Sequence, residues 1–104
     1  MNKARKSKIR AIIEMIRKAI ACKEYSQDTI DTIISLIDQV KDEEEHSYDN
    51  IPENLQFSTR GEQSYDAIMS LGDAMYCIED FDDEYSNEYK EKMLLSAIDS
   101  LNEI

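Results

Sequence analysis

Apolar residues recur with helical spacing over most of this chain. From Ile9 they fall at Ile9, Ile12, Ile13, Ile16, Ala19 and Ile20, the i, i+3, i+4, i+7 recurrence of a single helix face. Arg10, Glu14, Arg17 and Lys18 fill the other side. The pattern predicts a first helix over about residues 4–23. Ser26 then offers a hydroxyl to cap a second helix, and Asp28 places an anion in its first turn, where the helix dipole favours one. The stripe Ile30, Ile33, Ile34, Ile37, Val40 predicts that helix over 27–46. So short a connection makes helices 1 and 2 antiparallel neighbours.

The second half repeats the logic. Thr59 and Glu62 have capping-box spacing, with Ser58 as the alternative cap. Tyr65, Ile68, Met69, Leu71, Gly72, Met75, Ile78 and Phe81 predict a buried stripe on a third helix over 59–81. Gly72 costs this helix about 1 kcal/mol relative to alanine, which suggests a close helix approach there. From Asp80 to Asn87, repulsion among acids and poor helix formers weaken the helix. A break near 82–86 is expected, with Ser86 capping a fourth helix over 86–103. Tyr89, Met93, Leu94, Ala97, Ile98, Leu101 and Ile104 form its stripe. One unbroken helix from 60 to 103 is the alternative. The fold class is therefore all-α and bundle-like: a helical hairpin plus one long or two shorter C-terminal helices, in a single domain over 1–104.

Between the halves lies the stretch with the only proline, the only histidine and the densest acidic run. Residues 48–57 read as a packed turn, with Ile51, Leu55 and Phe57 tucked against the helices. Before it, Asp42, Glu43, Glu44 and Glu45 crowd the end of helix 2, where the dipole disfavours negative charge.

Charge sharpens the picture. The formal net charge is -11, unevenly spread: residues 1–23 hold eight basic side chains against one acid, and the remainder holds 22 acids against four. Either the basic helix docks on the acidic body of the same molecule, or the two surfaces face two partners. An acidic protein is repelled by phosphate backbones, so direct nucleic-acid binding is not expected. No apolar run approaches a membrane span and no signal peptide is recognised, so a cytoplasmic protein is expected. Cys22 and Cys77, in apolar helical patterns, read as buried thiols.

Catalytic candidates are few. Glu43-x-x-His46 has the spacing of a carboxylate-bridged metal site, but a single histidine cannot complete the usual pair in one chain. Asp80, Asp82 and Glu84 alternate as in a calcium loop, yet Tyr85 and Glu91 stand where glycine and glutamate are needed. No glycine-rich phosphate loop is present. No catalytic residue, cofactor or metal is expected. The more informative constellation is tyrosine among acids: Tyr76, Glu79, Asp80, Asp82, Asp83 and Glu84, with Glu43, Glu44 and Glu45 as a second acidic cluster. Tyrosine supplies amphipathic contact area and the acids supply complementarity to a basic partner surface. All nine are candidate partner-binding residues.

The run from Glu43 to Ile68, about a quarter of the chain, resembles a motif of small helical proteins of bacteriophages and mobile elements. The residues that carry it are Tyr48, Asp49, Asn50, Ile51, Pro52, Glu53, Leu55, Gln56, Ser58, Arg60 and Glu62. That family has no assigned activity. The resemblance implies a phage or prophage setting in a bacterial host. The expected function is a non-enzymatic protein–protein interaction module that self-associates as a homodimer, binds a host or phage protein and serves an anti-defence or host-modulating role. One alternative is an acidic nucleic-acid mimic that blocks a host DNA- or RNA-binding protein. The other is a metal-binding helical bundle.

Overall fold

In the computed structural model, which describes residues 1–104, each long helix starts behind a side chain that replaces a missing intrahelical acceptor. Asn2, Ser26, Ser58 and Ser86 accept from the backbone N–H of Arg5, Thr29, Gly61 and Tyr89 at 2.9, 3.2, 3.4 and 3.2 Å. The helices that follow are α1 (Lys3–Ala21), α2 (Gln27–Asp49), α3 (Thr59–Glu79) and α4 (Asn87–Asn102), with a single 3-10 turn at Glu53–Leu55. Ser58, not Thr59, is the cap of α3. The break before α4 is real, so the single long helix is excluded. Phe81 is buried at the corner, Asp82 Oδ1 accepts from the Glu84 N–H at 2.9 Å, and Ser86 restarts the chain.

Each helix packs on its chain neighbours, and α1 closes on α4. The order around the bundle is therefore α1, α2, α3, α4, with α1 and α3 at opposite corners. The pairs Arg5–Glu44 and Glu44–Ser64 join the start of α1, the end of α2 and the start of α3 at one level. Consecutive helices are thus antiparallel, and α1 and α3 run the same way. The bundle measures 48 × 22 × 19 Å.

The core is rich in β-branched residues: Ile9, Ile12, Ile13 and Ile16 of α1 meet Ile30, Ile33, Ile37 and Val40 of α2 in one buried cluster with Leu71, Ile78, Leu94 and Leu101. On α1 and α2 the buried face is the one predicted. On α3 it is not. Ser64, Ala67, Ser70, Leu71, Ala74 and Ile78 face inward, while Tyr65 and Met69 are 52% and 50% exposed. The reason is steric. α3 makes its most extensive contact with α2 and packs almost as closely on α4, and small side chains let it approach both. Gly61, not Gly72, sits at a forced approach. A Cβ on Gly61 would lie 1.9 Å from the Gln56 carbonyl oxygen, whereas one on Gly72 would meet only the Lys41 side chain at 3.7 Å.

The turn between α2 and α3 is ordered by its own hydrogen bonds rather than by buried side chains. Leu55 N–H donates to the Pro52 carbonyl at 2.7 Å, and Ser58 N–H to that of Leu55 at 3.0 Å. Leu55 is exposed and Phe57 is 86% exposed, contrary to the tucked arrangement expected; only Ile51 is half-buried. α1 ends in a Schellman-type turn: Glu24 N–H donates to the Ala19 carbonyl and Lys23 N–H to that of Ile20. Lys23 holds the left-handed position at φ 52°.

Candidate functional site, an acidic face bearing tyrosines

Two surfaces carry the residues singled out by the sequence, and their charges behave differently. At the first, the acidic end of α2 meets the basic start of α1. Glu44 is 1% exposed. Its carboxylate accepts from Arg5 Nε at 2.7 Å and from the Ser64 hydroxyl at 2.6 Å, and the Met1 α-amino group lies 3.9 Å away. Lys8 donates to Glu43 at 2.6 Å, and Lys41 pairs with Glu45 at 2.7 Å. The Glu45 hydrogen bond holds the Lys41 ammonium above its ordinary pKa, against the opposing effect of burial.

Glu44 is thus not a partner-binding residue in this fold: its oxygens are spent inside the molecule. Glu43 and Glu45 are half-buried and also paired. The helix-dipole violation expected there is absent, because α2 continues to Asp49 and leaves Asp42 to Glu45 before its last turn. Arg5 and Lys8, near the start of α1, pair instead with the Glu44 and Glu43 side chains.

Beside this network lies a cleft of about 440 Å³ lined by Arg5, His46, Asn50, Pro52, Ser58 and Arg60, among others. The motif turn therefore forms one wall of it. Arg60 makes no ion pair. His46 is exposed, and no three histidine, cysteine, aspartate or glutamate side chains gather in a metal-binding arrangement. Glu43 and His46 do not form the metal site their spacing suggested. Of the cysteines, Cys77 is half-buried, whereas Cys22 is exposed past the end of α1.

The second surface is the outward side of α3 and its seam with α4. Tyr65, Met69 and Tyr76 recur on the solvent face of α3, with Tyr76 71% exposed. They stand outward because the small residues took the inward positions. Where α3 meets α4, a groove of about 430 Å³ is lined by Tyr76, Cys77, Asp80, Tyr89, Lys92 and Met93, with Ser96 at its end. Tyr85 and Tyr89 meet edge to face with ring centroids 4.8 Å apart. Glu79, Asp82, Asp83 and Glu84 extend the acidic rim, all exposed.

No ion pair involves any residue from 59 to 104, although that span carries twelve carboxylates against three cations. One of those cations, Lys90, is buried. Its ammonium donates to the Asp83 carbonyl at 3.1 Å and lies 5.4 Å from the Phe81 ring centroid, which fixes the acidic corner in place. The structure thus brings Tyr76 and Asp80 together with Tyr89 and Met93, and leaves Glu43, Glu44 and Glu45 at the other end of the molecule. Lys90, Ser64 and Gly61 had no signal in the periodicity: each is a residue whose role exists only through a contact outside its own helix. No helix is long and apolar enough to cross a membrane. Comparison of the chain with protein-family models, with curated proteins and with solved structures finds no match.

Proposed function

We propose that this chain is a non-enzymatic protein-interaction module whose α3–α4 face binds a cationic, amphipathic protein surface. One observation carries the reading. Tyr65, Met69, Tyr76 and Tyr89 stand solvent-exposed among carboxylates that have no cation of their own. Exposed tyrosine and methionine supply adaptable apolar contact, and unpaired acids supply steering and register toward a basic partner. Set beside the resemblance of residues 43–68 to phage and mobile-element proteins, the partner is a host or phage protein in a bacterial cytoplasm, in an anti-defence or host-modulating role. The narrower reading, an acidic mimic of nucleic acid, draws on the same ridge at Glu79 to Glu84 and predicts a partner that releases DNA or RNA on binding.

The test is titration of the chain into a fluorescent Leu/Lys amphipathic peptide at low and high salt. Saturable binding that weakens with salt, and is lost in Tyr76→Ala and in Asp82→Lys/Asp83→Lys/Glu84→Lys, is expected. Binding that both variants retain, or none at all, overturns the reading. Capture from a bacterial lysate, compared between wild type and the same variants, then identifies the partner.

A further inference from the structure

The outer side of α1 is the chemical converse of the outer side of α3. On α3, Tyr65, Met69, Gly72 and Tyr76 follow the alternating four- and three-residue steps of a coiled-coil seam. Asp66, Asp73 and Asp80 lie along one flank of it, seven residues apart and exposed. On α1, Ala4, Ser7 and Ala11 form an exposed stripe of small residues with the same steps. Lys3, Arg10 and Arg17 lie along its flank, again seven apart and exposed. Lys3 and Arg10 make no ion pair, and Arg17 holds only the exposed Glu14 at 3.0 Å.

The two ladders match in sense as well as spacing. Numbered as heptads, the α3 aspartates occupy e positions and the α1 cations occupy g positions. These are the positions that pair across two parallel helices. α1 and α3 do run parallel, at opposite corners of the bundle. Arg5 and Ser64 both bond Glu44, so residues near 5 and near 64 stand at the same level. A second copy displaced sideways, without rotation or axial shift, therefore brings Lys3 to Asp66, Arg10 to Asp73 and Arg17 to Asp80. In that register Tyr65 falls opposite Ser7 and Met69 opposite Ala11, large side chains over small ones.

We propose that α3 of one copy docks on α1 of the next in a head-to-tail, parallel seam. The inference rests on the α3–α4 face being a docking surface, and it names the partner as a second copy of this chain. The contact uses two different faces, so it does not close on itself by two-fold symmetry; related by a displacement without rotation, the copies propagate into an open row. It is an alternative to the homodimer expected from the sequence. The net charge of -11 opposes association. That repulsion is screened beyond about 8 Å at physiological ionic strength, while the seam charges meet at contact.

Sedimentation velocity of the full chain over a concentration series tests the proposal. The average mass of the wild type should rise with concentration at low salt, and high salt should weaken association about tenfold or more. Arg10→Glu and Asp73→Arg, both at exposed positions, should each stay monomeric while keeping wild-type circular dichroism. Mixed, they should associate again and grow, because junctions between unlike copies pair opposite charges, in the native sense at one and in the swapped sense at the next. Combined in a single chain, the swapped charges should restore growth. A wild type that stays monomeric at every concentration overturns the proposal, and so does a closed dimer that either single variant retains. A monomeric wild type that still binds the Leu/Lys peptide would leave the proposed function standing and remove only this seam.

Discussion

The two ends of this molecule handle charge in opposite ways. Where the start of α1 meets the end of α2, Glu43, Glu44 and Glu45 are each paired with a cation, and Glu44 is buried with its two oxygens occupied by Arg5 and Ser64. Around α3 and α4, twelve carboxylates have no ion pair at all, and they surround exposed tyrosines. Acidic clusters that look alike in sequence, Asp42–Glu45 and Asp82–Glu84, therefore do different work. The first is part of the architecture. The second is available to something outside the molecule. Density of charge along the chain does not separate these roles; the presence of an opposing charge on a neighbouring helix does.

The comparison breaks most clearly at Glu44. Glu44→Ala leaves Arg5 facing an emptied site and the Ser64 hydroxyl without its acceptor. It should cost about 3 kcal/mol, since removing one partner of a buried pair strands the other. Urea denaturation reads the loss, and Arg5→Met with Glu44→Leu should recover most of it, because an apolar pair has no charge to strand. Gly61→Ala comes next. The new methyl meets the Gln56 backbone, and backbone cannot step aside as a side chain can, so a loss of about 2–3 kcal/mol is expected by the same measurement. A cost near zero would mean that the turn into α3 is looser than its hydrogen bonds indicate.

At the acidic corner the expected effects are smaller. Lys90→Met removes the bond to the Asp83 carbonyl and the cation over Phe81, and should lower stability by about 1 kcal/mol. Its more telling readout is weaker peptide binding with the acids themselves untouched, since the corner that presents them is then less fixed. Smallest of all, Lys23→Gly relieves a left-handed backbone that an L side chain disfavours. It should raise the melting temperature slightly, by about 0.5 kcal/mol in stability after the greater unfolded-state freedom of glycine is offset.

α1 and α2 were legible because each buries a single stripe of large, mostly β-branched side chains. Ile9, Ile12, Ile13, Ile16 and Ile30, Ile33, Ile37, Val40 all fall where periodicity puts them. α3 was misread in part because small residues, Ser64, Ala67, Ser70 and Ala74, fill much of its inward face. Tyr65 and Met69, read as core, stand on the outward face with Tyr76. A hydrophobic pattern reports that a face is apolar, not whether the room beside it admits large side chains. Leu55 and Phe57 show the same limit: apolar character in a turn does not guarantee burial.

The sequence by itself determined four helices, the caps Ser26 and Ser86, and the hairpin that joins the first two. These follow from local rules, in which spacing, caps and breakers act within a few residues of chain. Tertiary structure alone decided which acids were paired, which glycine was indispensable and which side of α3 met water. Each of those depends on a neighbour distant in sequence: Arg5 for Glu44 across 39 residues, Ser64 across 20. Burial and charge pairing are properties of the space between helices, and that space exists only once the helices have docked.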